Sequence, residues 1–144
     1  MKVTVVQSLI GVLGFDESSQ MVDKVLFDRA PKLIAERMLL AESGKALEET
    51  ASLVQQLGKK GFTTFVFENT VTAKAVEKKL GVKVEVAQPS EQGEALRKNL
   101  ERFALEVGFV DQPDKLRELV RQVAIELTRL RVKKAGEKRE RLLV

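Results

Sequence analysis

Two absences limit the chemistry open to this chain: its 144 residues include no cysteine and no histidine. A disulfide, a thiolate nucleophile, an imidazole base and the usual zinc ligands are thereby excluded. Carboxylates, lysines, serines and threonines remain, and several converging carboxylates could still hold the metals of a phosphodiester reaction. The carboxylate best placed for such a role is Glu68, directly after the apolar run TTFVF. It reads either as a helix-start carboxylate favoured by the helix dipole or as a contact to a partner. Neither G-x-x-x-x-G-K-[ST] nor G-x-G-x-x-G occurs, so no phosphate loop is present and no cofactor is expected. Gly11 and Gly14 form a lone G-x-x-G inside strand-like sequence, where glycines usually mark bulges or close backbone approaches. There are seven phenylalanines and no tryptophan or tyrosine. Phe62, Phe65 and Phe67 sit where a core strand needs them, so base stacking is disfavoured.

Charge is the uneven feature. Between Arg129 and Arg141 seven cations face two carboxylates, a net +5, whereas the whole chain carries +4 and the remainder is therefore −1. This is a local statement about partners and not a global one, and its bland reading is a solvated basic helix. No apolar run approaches the ~20 residues that span a bilayer, and the start MKVTVVQSLIGVLGF lacks a small-residue cleavage site. No membrane partner is expected, and the chain is read as intracellular, in the cytoplasm.

These residues must be held by a recognisable series of elements. KVTVVQS (2–8), IGVLG (10–14) and MVDKVLF (21–27) are short and β-branched, separated by polar turns, and predict a three-stranded antiparallel meander. Pro31 opens a helix that Gly44 stops, with Leu33, Ile34, Met38 and Leu39 inward. A second helix over 46–61 buries Leu47, Leu53, Val54 and Leu57. TTFVF (63–67) suits a central strand covered on both faces. Asn69 or Thr70 then caps a helix that Gly81 ends, and VKVEVA (82–87) alternates as an edge strand. SEQGEALRKNLERFALEV (90–107) is helical, with a break near Gly108.

From Pro113 to Val144 the positions Leu116, Leu119, Val120, Val123, Leu127 and Leu130 recur at helical steps. Asp111 or Gln112 can cap this helix, and about 31 residues at a rise of about 1.5 Å would reach roughly 46 Å. The chain thus divides into an α/β domain over 1–112 and a long helix over 113–144 that closes the domain. The fold class is α/β: a mixed sheet of about five strands, three in the meander and two joined through crossover helices, with helices on its faces.

That order resembles the ribonuclease-H-like superfold. Its nucleases need an Asp on the first strand, and Lys2 to Ser8 contains no carboxylate, so nuclease activity is not expected. The residues carry a second, closer resemblance. LTRLRVKKAGEKRERLLV (127–144) resembles the segment leading from the N-terminal domain into the coiled coil of the archaeal Nop family, the scaffolds of box C/D RNA-guided methylation particles. FVFEN (65–69), GEALRKN (93–99) and the opening KVTVVQSLIGVLGFDE are similar to family stretches in the same order.

The resemblance implies a non-catalytic N-terminal domain that docks the fibrillarin-type 2′-O-methyltransferase. It also implies a homodimer through a coiled coil, and a C-terminal domain that binds guide RNA with a kink-turn-binding protein. Neither of those parts is present here, and the sequence reads as a piece of a longer protein. The alternative is an RNA-binding adaptor using the basic helix directly. On the terminal helix, Leu116, Val120, Val123, Leu127 and Leu130 suffice as an inward stripe, while Ile125 and Val132 form a second apolar line with Thr128 and Arg129 between them. Ile125, Thr128, Arg129, Arg131 and Val132 are the expected partner-binding residues, with Glu68 and Arg97 extending the surface on the resemblance alone. The competing reading is that Ile125 and Val132 meet the preceding helix around Leu100 and Phe103.

Overall fold

The structure, a computed structural model, describes residues 1–87 and 98–143, with side chains through residue 139. Strands β1 (Lys2–Gln7), β2 (Gly11–Phe15) and β3 (Met21–Leu26) form the meander. Helices α1 (Pro31–Glu42) and α2 (Glu48–Lys59) lead to β4 (Thr64–Phe67), and α3 (Thr70–Leu80) leads to β5 (Lys83–Val86). Among the described residues two helices follow, α4 (Leu100–Glu106) and α5 (Pro113–Leu143). Of the helix expected from Ser90, only the part from Lys98 lies among the described residues; Arg97 and most of the GEALRKN stretch lie outside them.

The sheet order is β3-β2-β1-β4-β5. β1 pairs antiparallel with β2 and β2 with β3, whereas β4 lies parallel to both β1 and β5. A mixed five-stranded α/β sheet is therefore established, with β5 at one edge as its alternating sequence implies. The register shifts between Gly14 and Phe15, a bulge at one of the two glycines noted above.

Alternation along the strands divides the core in two. Val6, Leu13 and Phe15 point to one face, where they meet Ile34 and Ala35 of α1, Phe103 and Ala104 of α4, and Leu116 and Val123 of α5. Val3, Val5, Val12, Phe65 and Phe67 point to the other, against Leu53, Val54 and Leu57 of α2 and Ala73 and Val76 of α3. Phe15 and Phe103 bring ring centroids to 5.3 Å across the first cluster. α5 packs chiefly along α1, so the first half of the long helix belongs to the domain's own core.

Two inward positions differ from the sequence reading. Leu33 is 45% exposed, because α1 turns Ile34 and Ala35 to the core and the small alanine lets its neighbours approach. Val120 is 43% exposed; Leu119, on the other flank of the same stripe, packs against the core in its place. No helix among the described residues is long and apolar enough to cross a membrane.

Asn69 is the cap of α3: its Oδ1 accepts from the Val71 N–H at 2.8 Å and the Thr72 N–H at 3.4 Å. Asn69→Ala is expected to cost about 1 kcal/mol of stability in a urea titration. Gly81 closes the helix in the left-handed region at φ 66°.

Candidate partner-binding surface

α5 presents two faces because its apolar residues fall on two sides. Leu116, Leu119, Val123, Leu127 and Leu130 form the stripe on the core. Ile125 and Val132 lie seven residues apart on the opposite side, 38% and 67% exposed. They do not meet α4, since Phe103 and Leu100 pack with the inward stripe instead. An apolar line therefore faces solvent along the middle of the helix.

Polar groups frame it. One turn before Ile125, Arg121 donates to Glu118 through Nε at 3.2 Å and Nη2 at 2.8 Å, and Gln122 Nε2 donates to the same carboxylate at 3.0 Å. The Arg121 hydrogen bond, then that of Gln122, holds the Glu118 carboxyl below the usual range, and Glu118 raises Arg121 in turn. One turn after Ile125, Thr128 Oγ1 donates to the Ala124 carbonyl at 3.0 Å and Arg129 Nη1 donates to Glu126 at 3.0 Å. Pairs three residues apart on an exposed helix add little stability, but they place the guanidinium groups beside the apolar line. Glu118, Arg121 and Gln122 are members of this face that the sequence reading did not single out. Their i, i+3 and i, i+4 spacing was the available signal.

The remaining expected residues lie apart. Arg131 turns toward α1, where its Nη2 donates to Glu42 at 2.7 Å. Glu68 follows β4 and lines a cavity of about 250 Å³ with Val6, Leu13, Phe15 and Leu100, none of whose walls comes from α5. Arg97 is outside the described residues. At the head of α5 the Lys115 ammonium, 2.7 Å from Asp111, holds that carboxyl below its ordinary range through their hydrogen bond.

The nuclease question turns on the C-terminal ends of β1 and β4. The chain places Gln7, Ser8 and Glu68 at one cavity there, and Glu68 is the one carboxylate among the described residues lining it, where two-metal chemistry needs several; Glu42 and Glu49 line a neighbouring cavity, each paired with an arginine. Among the described residues no group of three or more acidic, histidine or cysteine side chains is arranged to hold a metal. Incubation with labelled RNA or DNA and magnesium or manganese is expected to give no cleavage. Cleavage that disappears in Glu68→Gln would overturn this.

The family model described as the archaeal Nop5/56-related N-terminal domain matches residues 2–133. A similar fold is that of the Nop N-terminal domain of Methanocaldococcus jannaschii, with a TM-score of 0.53 and 20% identity over 92% of this chain and 98% of that one. No curated protein gives a significant match.

Proposed function

Because this chain belongs to the archaeal Nop5/56-related N-terminal domain family, we propose that it is a non-catalytic scaffold domain of the box C/D ribonucleoprotein that docks the fibrillarin-type 2′-O-methyltransferase. The observation that carries the docking reading is the solvent-facing line of Ile125 and Val132, opposite the stripe that holds α5 to the core. A helix that only packed inward would have no use for it. In a docked complex the two apolar side chains supply desolvated area, Thr128 adds a hydroxyl, and Arg129 supplies a planar donor fork for a partner carboxylate. Arg129 would exchange or share its contact with Glu126, which is cheap for a guanidinium this exposed. Arg131 joins the interface only by sharing Glu42, and Glu68 and Arg97 enter as a separate contact. Dimerisation, guide RNA and the kink-turn-binding protein belong in this proposal to segments other than these 144 residues.

The test is to make Ile125→Asp and Arg129→Glu separately, confirm folding by circular dichroism, and titrate each with the methyltransferase. Each is expected to bind at least about tenfold more weakly, a loss of about 1.4 kcal/mol or more. Two folded variants that bind as the parent does would remove this face from the interface. A parent that does not bind would remove the docking reading itself. If the chain instead binds RNA tightly with a steep salt dependence, phosphate contacts by the basic helix are the better account.

A further inference from the structure

The net −1 that the chain carries outside residues 129–141 is a sum of unlike parts. Residues 59–86 hold six lysines against three glutamates, a net +3, while residues 1–58 and 87–128 each hold six cations against eight carboxylates, a net −2. The two kinds of cation are also segregated. No arginine occurs in residues 38–96, so α2, β4, α3 and β5 carry lysine alone.

The two kinds differ in what they touch. Arg37, Arg102, Arg117, Arg121, Arg129 and Arg131 each lie within 4.0 Å of a carboxylate. Lys74, Lys78, Lys79 and Lys83 have no carboxylate within that distance among the described residues. Lys74 and Lys78 are one turn apart on the exposed side of α3, opposite the buried Thr72, Ala73 and Val76. Lys79 lies in the last turn, and Lys83 begins β5 at the edge of the sheet. The helix dipole accounts for Lys78 and Lys79, but not for Lys74 in the middle of the helix or Lys83 on the strand.

The chemistry of these four residues chooses between partners. Protein interfaces are depleted of lysine and enriched in arginine and aromatic residues, and neither α3 nor β5 contains an arginine or an aromatic residue. Ammonium groups on flexible stems act as point charges, which suits a row of phosphates along a strand. With no guanidinium to fork onto base edges and no ring to stack on bases, this surface reads no sequence. We propose that the exposed side of α3 and the start of β5 form a contact surface for the phosphodiester backbone of RNA, bound without sequence preference. It rests on the scaffold reading only in taking RNA as the polyanion. The contact is separate from guide-specific recognition, which needs base readout, and from the basic end of α5.

The isotope-labelled chain is titrated with a short single-stranded RNA of mixed sequence and followed by amide chemical shifts, and affinity is measured by fluorescence anisotropy across a salt series. The signals of Lys74, Lys78, Lys79 and Lys83 are expected to move, with Kd in the ~10⁻⁴–10⁻⁶ M range of non-specific binding. A variant carrying Lys74→Gln, Lys78→Gln and Lys79→Gln, its fold confirmed by circular dichroism, should show a slope of log K against log salt shallower by about 2, since each lost single-strand contact is worth about 0.7. A variant carrying Lys133→Gln, Lys134→Gln and Lys138→Gln should keep the α3 shifts. RNA shifts confined to the terminal helix, an unchanged salt slope in the α3 variant, or α3 shifts lost in the terminal-helix variant would each overturn the proposal. So would an oligoglutamate peptide that moves the α3 signals as strongly as the RNA does, which would assign the surface to an acidic protein. No methyltransferase enters this experiment, so its failure leaves docking on α5 standing, and failed docking of the α5 variants leaves this surface standing.

Discussion

Gly11→Ala is expected to lower the unfolding free energy by on the order of 3–5 kcal/mol and the melting temperature by roughly 10 °C, whereas Gly58→Ala should raise stability by roughly 0.5–1 kcal/mol. The same methyl group is added in both, and the surroundings set the sign. Gly11 has φ 156°, and a Cβ there would sit 2.3 Å from the Val25 carbonyl oxygen and 2.8 Å from Leu26 Cα. Both atoms are backbone of β3, with which Gly11 is in register, so no side chain can swing aside. The Gly11 carbonyl also accepts from the N–H and the hydroxyl of Ser8, each at 2.8 Å, which fixes the turn between β1 and β2. Relief would have to come from moving β2 off β3. Gly58, by contrast, lies on an exposed position of α2 with nothing within 4 Å of the added Cβ. There the alanine only restricts the unfolded chain and favours the helix. Thermal unfolding of the two variants beside the parent checks the pair, and an unchanged midpoint for Gly11→Ala would mean that the strands do not approach this closely.

Gly11 also shows how far the sequence alone could be read. Its place between two β-branched runs announced a close backbone approach, and the succession of elements along the chain, the helix stops at Gly44 and Gly81 and the central β4 were open to the same local reading. Local signals sufficed because each is encoded within a few residues. The facing of α5 was not. Leu119 and Val120 flank one stripe at nearly equal angles, and which of them meets the core depends on how α5 lies along α1, which the chain's own periodicity does not contain. For a similar reason Leu33 outweighs Ala35 in a pattern that scores size, although close helix packing favours the smaller residue. The candidate surface divides the same way. Ile125, Thr128, Arg129 and Val132 share a face because helical spacing requires it. Arg131 leaves them for a carboxylate 89 residues earlier in the chain, a pairing that only the tertiary fold creates.

The last expectation uses two residues of α5 that differ by one step and should differ in kind. Val123→Asp is expected to destabilise the domain by on the order of 4 kcal/mol, and Ile125→Asp by roughly 0.5 kcal/mol or less. Val123 is 1% exposed, in the cluster where α5 meets Ile34 and Ala35 of α1 and Phe103 of α4. A carboxylate placed there loses its water among apolar side chains. The group must either take up a proton or draw α5 off the core. Stability of Val123→Asp should therefore rise as pH falls through the raised carboxyl value, because the folded state then binds the proton that the unfolded chain releases. Ile125 faces solvent, and an aspartate there stays hydrated at every pH. Urea unfolding at neutral and mildly acidic pH separates the two. If both variants unfold alike, the inward and outward faces of α5 are not as described. If only Val123→Asp is destabilised while Ile125→Asp loses the methyltransferase, the helix holds the domain with one side and a partner with the other.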